Sequence, residues 1–525
     1  MDIMQQKSQL YSVFIIYSFF GVLGMTLVLC ATSKYGVGLS PDSVDYISTA
    51  RNLIDGKGFH KFTNEPFVQW PPLYPLLLAA IGLFGINPLY GARFLNIAAF
   101  GLTIFFICLI LRIVKTKPLI LWAALACLFS VPLLKVAVMA WSEPIYILLS
   151  ILFFLVFCSY LKKHEKHVLL LCSSVAALIC LQRYVGIILV ATGALSILFF
   201  TQNSSVSRRI RDSLIFICTA LSPVLVWLCY NFFSTGTLAG RRAPAYWGTS
   251  KHLSDLVTVI NNWFLPYSFP LPLYYLLLVM LMAFIIFIHV WHQRRSRLIK
   301  AKCDFTLKPI IIYILLYAVF IVLSSSYMAN EPIGNRLLSP IYPFLIIIFC
   351  FCLEQLNEFI NTKTGRRGFL KFIFLCVFFL WLLYPVYGAI NFIKICRQEG
   401  AGEDFYGQSY YGKDAWQKSP LIKWVRCNKL EGKIYSNEPC ALYMLTGIVA
   451  SYTPMKTVPI SRVAAELPHH KNCLIVWFKE SFDSKTRFFM GADQLYSLKQ
   501  LHTLFKIEEV AVFDDGYVFR INTQH

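Results

Sequence analysis

Charge is scarce in this chain: 14% of its 525 residues are Asp, Glu, Lys or Arg, against roughly 25% in water-soluble domains. With 57% hydrophobic residues beside that shortage, a water-soluble globule is excluded. Acid is scarcer than base, 27 residues against 48, for a formal net charge of +21. Nucleic acid could explain such an excess, but the densest cluster, Arg294, Arg295, Arg297, Lys300 and Lys302, lies between two apolar runs. That is where a cytoplasmic loop of a membrane protein concentrates its cations. Also missing are GxGxxG, the Walker loop, HExxH and GxSxG, which removes support for nucleotide, zinc-protease and esterase chemistry. Any group this chain transfers must therefore arrive already activated. None of the 16 cysteines stands in a CxxC pair, and most lie in apolar runs where they pack as small hydrophobes.

Long apolar runs are abundant. Leu10 to Ala31 and Leu271 to Trp291 each provide about 20 residues, enough to cross ~30 Å of hydrocarbon. The first exceeds a signal-peptide core of about 7 to 15 residues and no A-x-A site follows it, so it reads as an uncleaved anchor. Basic loops at Arg112 to Lys117, Lys162 to Lys166, Arg208 to Arg211, Arg294 to Lys302 and Lys363 to Lys371 are placed in the cytoplasm. Between successive basic loops the chain must cross an even number of times, which gives about eleven transmembrane helices and a cytoplasmic amino terminus. Parity also forbids a crossing at Leu73 to Ile86. That apolar run of about 14 residues is expected on or dipping into the outer surface, within a long external segment from Lys34 to Tyr90.

The expected architecture is an α-helical polytopic domain over residues 1–392, with interfacial helices in its first external loop. A small extracytoplasmic α/β domain follows over 393–525. There, β-like runs at Lys433 to Ser436, Cys473 to Phe478, Val510 to Phe513 and Tyr517 to Ile521 alternate with a helical stretch, Pro439 to Leu445. Asp514, Asp515 and Gly516 read as a hairpin turn. Cys396, Cys427, Cys440 and Cys473 could form up to two disulfides, in any of three connectivities.

Candidate chemistry gathers on the external side. Ser40 and Pro41 mark a helix start, and Val44, Ile47, Ala50 and Ile54 share a face. This is an amphipathic helix in the interface, with Asp42 and Asp45 about one turn apart on its polar side. Both acids would also favour the helix dipole if they did nothing else. Glu143, in Trp141-Ser142-Glu143-Pro144, sits at the outer mouth of a span without other charge until Lys162. A carboxylate there needs a wet cavity or a helix start to justify it. Taken together, Asp42 and Glu143 could supply a general base and an assisting acid, or hold a divalent cation. Arg183 with Tyr184, Arg241 with Arg242, and Arg336 lie outside against the positive-inside trend. Guanidinium offers paired hydrogen bonds to a lipid phosphate, although ordinary headgroups could attract these arginines too. Arg336, followed by Leu337, Leu338, Ser339 and Pro340, stands at the mouth of a helix.

These motifs, in this order, resemble the GT-C superfamily of polyprenyl-phosphate-dependent glycosyltransferases, the group of protein O-mannosyltransferases and lipid A aminoarabinose transferases. Pro41-Asp42-Ser43-Val44-Asp45-Tyr46, Ala50-Arg51-Asn52-Leu53, Gly56 and Pro71-Pro72-Leu73-Tyr74-Pro75 look like the family's first external loop. In that loop the acid four residues before tyrosine is catalytic, which implies Asp42. Trp141 to Pro144 matches the second-loop acid, Arg183-Tyr184-Val185-Gly186 a bacterial motif, and Asn335-Arg336 through Pro340 a late R-x-L-x-P pattern. Where many relatives carry adjacent acids, here Ser43 follows Asp42 and the second acid is Asp45, which leaves metal dependence open.

The resemblance implies an inverting enzyme of the plasma (inner) membrane. It would move a sugar from a polyprenyl-phosphate carrier to a hydroxyl of a lipid, glycan or protein on the extracytoplasmic face. Asp42 and Glu143 would be catalytic, with Asp45, Tyr46, Arg183, Tyr184, Arg241 and Arg336 binding substrate. No cofactor is certain, and a divalent cation, if one is bound, would sit on Asp42 and Glu143. The bilayer is a partner and nucleic acid is not. The alternative is a flippase, carrier, polymerase or ligase of lipid-linked glycans.

Overall fold

A computed structural model describes residues 2–113, 119–201, 204–240, 247–265, 307–328, 332–364, 367–402, 414–454, 473–479 and 498–522, with Arg242, Pro244, Ala245, Tyr411 and Tyr496. The expected span Leu271 to Trp291, the basic cluster from Arg294 to Lys302 and Arg241 lie outside the described residues.

The chain runs through α1 (Asp2–Ala31), α2 (Pro41–Ile54), α3 (Leu73–Gly82), α4 (Pro88–Ile113), α5 (Ile120–Leu128), α6 (Val131–Ala137), α7 (Glu143–Lys163), α8 (Lys166–Gln182) and α9 (Ile187–Phe200). It continues through α10 (Val206–Thr235), α11 (Thr249–Phe264), α12 (Leu307–Tyr327), the short α13 (Asn335–Leu338), α14 (Tyr342–Thr364) and α15 (Arg367–Glu399). Among the described residues seven helices are long and apolar enough to cross a membrane, or eight if α5 and α6, bent by 51°, form one broken span. The α8 helix and the stretch Tyr184–Phe200 are shorter apolar helices. At 10 residues α3 is too short to cross, so the first loop stays on one side of the bundle.

Packing of the spans follows from small residues and apolar faces. α1 lies along α4. At that contact a Cβ on Gly101 would fall 2.6 Å from the Gly21 carbonyl oxygen, so only glycine lets the two backbones approach so closely. The bundle core carries buried aromatic side chains such as Trp141, Tyr146, Phe153, Phe154, Phe157 and Tyr313.

After α15 come α16 (Asp414–Lys418), α17 (Pro420–Cys427), β1 (Ile434–Ser436), α18 (Pro439–Thr446), β2 (Ser451–Tyr452), β3 (Cys473–Phe478), α19 (Leu498–Leu504), β4 (Lys506–Phe513) and β5 (Gly516–Asn522). The last span extends to Glu399, past the boundary at 392 drawn from the sequence. The five strands form one mixed sheet ordered β2-β1-β3-β5-β4, parallel between β1 and its neighbours and antiparallel elsewhere. Alternate residues of β3 enter different cores. Leu474, Val476 and Phe478 face one hydrophobic cluster, and Cys473 and Ile475 another. With both faces covered, β3 reads as a continuous apolar run.

The first of those clusters is shared with the first loop. Val37, Val44, Tyr46, Ile47, Phe67 and Tyr74 join Tyr411, Trp416, Leu421, Leu442 and Val518 in it. Cys396, Cys440 and Cys473 belong to three separate clusters and Cys427 is exposed, so no two of these four cysteines are placed to pair.

Candidate functional site

The two loops that carry the candidate acids are joined at the backbone. Gly38 N–H donates to the Val138 carbonyl at 2.8 Å, and Ala140 N–H to the Gly38 carbonyl at 2.9 Å. Glycine is required there, because a Cβ would overlap the Met139 side chain and lie 2.8 Å from the Ala401 carbonyl oxygen. A few residues beyond this junction each segment enters a helix. Ser40 caps α2 in a reciprocal capping box with Ser43, and Pro41 opens the first turn. On the other segment α7 begins at Glu143 with Pro144 in its first turn. Trp141 Nε1–H donates to Ser40 Oγ at 2.7 Å and fixes one helix start against the other. Asp42 and Glu143, which are 101 positions apart in the chain, are thus placed side by side at two positive helix ends.

Arg336, on α13, lies between them. Its Nη2 reaches Asp42 Oδ2 at 2.6 Å and its Nε reaches Glu143 Oε1 at 2.7 Å, while the guanidinium sits 3.9 Å from the centroid of the Trp141 ring. Arg183, which ends α8, brings Nη1 to within 2.6 Å of the same Glu143 oxygen and donates to Ser142 Oγ at 3.0 Å. Glu143 has no solvent exposure, and its charge is held inside by these two cations. The Asp42 side chain keeps 23% of its exposure, so of the two acids it is the one a substrate can reach.

A third guanidinium borders the cluster. Arg242 Nη2 donates to the Gln69 carbonyl at 2.9 Å and the group lies 5.0 Å over the Trp70 ring. Burial draws its pKa below the ordinary value, against the attraction of Asp42. Among the described residues Arg242 has no carboxylate within ion-pair distance.

The other expected site residues divide. Tyr46 is buried, places its hydroxyl 3.4 Å from Ser142 Oγ, and packs edge-on to Tyr74 and Phe67. Burial pushes its phenol well up, so it stays protonated. Tyr184 acts as a latch: it donates to the Val68 carbonyl at 3.2 Å and accepts from Trp227 Nε1 at 3.1 Å and Asn231 Nδ2 at 3.2 Å. Asp45 is not with Asp42. It pairs with Lys61 Nζ at 3.0 Å, and burial pushes its carboxyl up to about 6 against the pull of that lysine.

The amphipathic reading of α2 needs correction too, because Ser43, Val44, Tyr46, Ile47, Ser48, Thr49 and Ala50 are all buried. Loop and tail cover both faces of the helix. Sequence reasoning missed Lys61, whose signal was a lysine on the outer side against the charge trend. Ser142 stands at the cap position of α7 without a capping bond, and its Oγ accepts from Arg183 instead. Among the described residues no three His, Cys, Asp or Glu side chains converge as a metal would need.

Apolar spans, helices of the first loop and a mixed tail domain are arranged here as in two solved membrane proteins, ArnT and AglB. In particular the chain is similar to ArnT from Cupriavidus metallidurans in the apo state, with TM-score 0.62 at 11% identity and 98% of each chain covered. The same ArnT bound to undecaprenyl phosphate matches with TM-score 0.59 at 12% identity, over 96% of this chain and 97% of that one. The archaeal oligosaccharyltransferase AglB from Archaeoglobus fulgidus, in complex with an inhibitory peptide and a dolichol-phosphate, matches with TM-score 0.50 at 12% identity, over 99% of this chain and 74% of its own. No family model and no curated protein matches the sequence, so the likeness is one of fold.

Proposed function

We propose that this chain is a membrane glycosyltransferase that moves a sugar from a polyprenyl-phosphate carrier to an acceptor hydroxyl, at the extracytoplasmic face of the inner membrane. The observation that carries this reading is the charge at the site. Three guanidiniums, Arg183, Arg336 and Arg242, stand beside two carboxylates, Asp42 and Glu143. The described groups thus leave one positive charge without a counterion, and the phosphodiester of a lipid-linked sugar brings one negative charge. Its apolar tail is accommodated by the bilayer next to the spans.

Arg242 and Arg336 receive the phosphate, and Arg183 keeps Glu143 ionised beneath them. Asp42, released from Arg336 as the phosphate takes over that guanidinium, accepts the proton of the acceptor hydroxyl. The acceptor oxygen bonds to the anomeric carbon as the bond from that carbon to the phosphate oxygen breaks, with inversion, and polyprenyl phosphate leaves. Relatives named above bind undecaprenyl phosphate and dolichol-phosphate, which supports a lipid phosphate as ligand.

The test is Asp42→Asn in membranes supplied with labelled polyprenyl-phosphate sugars and cell-envelope acceptors. Transfer is expected to fall by about 10² to 10⁴, the range for losing a general base, with the protein still inserted and folded. Undiminished transfer would sink the assignment of the base.

A further inference from the structure

Buried polar atoms in folded proteins almost always have a hydrogen-bond partner, and one left alone costs about 1 to 3 kcal/mol. Four such atoms belong to residues next to Tyr46 or Ser142: Trp70 Nε1, Tyr74 Oη, Glu143 Oε2 and Gln182 Oε1, each without a partner among the described residues. All four side chains pack on, adjoin or bond to Tyr46 or Ser142. The rings of Trp70 and Tyr74 lie 6.3 and 5.0 Å from the Tyr46 ring, and Tyr46 Oη is 3.4 Å from Ser142 Oγ. Glu143 follows Ser142 in the chain, and Gln182 Nε2 donates to the Ser142 carbonyl at 2.9 Å. Turning the Gln182 amide over would set two acceptors against each other, so its oxygen is the atom left free.

The set contains two donor-capable atoms, the indole N–H and the phenol, and two acceptors, the carboxylate and amide oxygens. A polyol, whose adjacent hydroxyls each donate and accept, satisfies such a set, whereas an apolar group or a lone cation does not. We propose that Trp70, Tyr74, Gln182 and the free oxygen of Glu143 form a subsite for the hydroxyls of the donor sugar, and that Tyr74 and Gln182 set sugar selectivity. The inference rests on the transferase reading above and names the part of that site which distinguishes one sugar from another.

The test uses the full chain in lipid nanodiscs. Binding is measured for bare undecaprenyl phosphate and for undecaprenyl phosphate carrying mannose, glucose or 4-amino-4-deoxyarabinose. The wild type is expected to bind at least one glycosylated lipid tenfold or more tightly than the bare one. Tyr74→Phe and Gln182→Met should each erase most of that preference and leave the affinity for the bare lipid unaltered.

Because its hydroxyl bonds to no other described residue, Tyr74→Phe should also melt no lower than the wild type. A lower melting temperature with the sugar preference intact would show that an ordered water occupies the place, and would overturn the proposal. So would an equal loss for bare and glycosylated lipids, or a wild type that does not discriminate between them. If bare undecaprenyl phosphate fails to bind, or binds as well to Arg242→Gln, the transferase reading falls as well. The two failures are therefore distinguishable.

Discussion

Glu143 holds two guanidiniums on a single oxygen with no solvent exposure. Removing its charge leaves Arg183 and Arg336 facing each other in a low-dielectric interior, and breaking a buried pair in this way costs about 3 to 5 kcal/mol. Glu143→Gln should therefore lower the unfolding temperature of the detergent-solubilised protein far more than Asp42→Asn, whose carboxylate is partly exposed and bonds one arginine. Equal melting of the two variants would show that Glu143 is not what neutralises the arginines. At this scale the sequence picked out residues that the structure brings together, because acids and arginines on the outer side of a membrane protein conflict with the charge trend. It was silent on their pairing. Arg336 and Glu143 are 193 positions apart, and no local spacing rule relates a guanidinium to a carboxylate in a different helix pair.

The α2 helix shows the same division between local and distant information. Its start was legible from Ser40 and Pro41, since capping and proline placement act within a few residues. Its environment was not, because the covering surface comes from the tail. Arg51 reaches the Tyr443 hydroxyl of α18 at 3.3 Å, and Phe62 stacks on Tyr443 with ring centroids 4.8 Å apart. At that joint Asp45 faces Lys61, with Asp42, Glu65 and Cys440 nearby.

The joint makes stability depend on pH with a definite sign. The Asp45 carboxyl is raised to about 6, so between its ordinary value and 6 the folded chain binds more protons than the unfolded one. Its contribution is therefore favourable at low pH and is lost as the pH rises through that window. Asp45→Asn cannot titrate, so relative to the wild type the variant should gain stability between pH 5 and pH 7, by on the order of 1 kcal/mol. Thermal unfolding at the two pH values measures the difference. A variant that loses ground as the pH rises would mean that Lys61 outweighs burial and holds the carboxyl low.

The composition announced a bundle of spans and a less apolar tail, and the order of strands and helices in that tail could be read from short alternating runs. Nothing in those patterns indicated that the tail and the first loop share a core, because hydrophobic periodicity reveals which face is buried and not what buries it. Trp416, from α16, is the side chain that tests this sharing. It is buried, stands edge-on to Tyr411 at 5.5 Å and to Phe478 at 4.9 Å, and belongs to the cluster that holds Val44, Tyr46 and Tyr74. Tyr411 N–H donates to the Leu39 carbonyl at 3.0 Å, one residue before the cap of α2. Trp416→Ala should cost about 3 to 5 kcal/mol as a large-to-small change in a packed core. Because the core is continuous, the loss should be felt at α2 as well as in the tail. Limited proteolysis of the full-length variant is then expected to cut both after Glu399 and within the first loop, between Lys34 and Lys61. Cleavage confined to the tail, with the first loop as resistant as in the wild type, would show two independent units and would separate the tail from the positioning of Asp42.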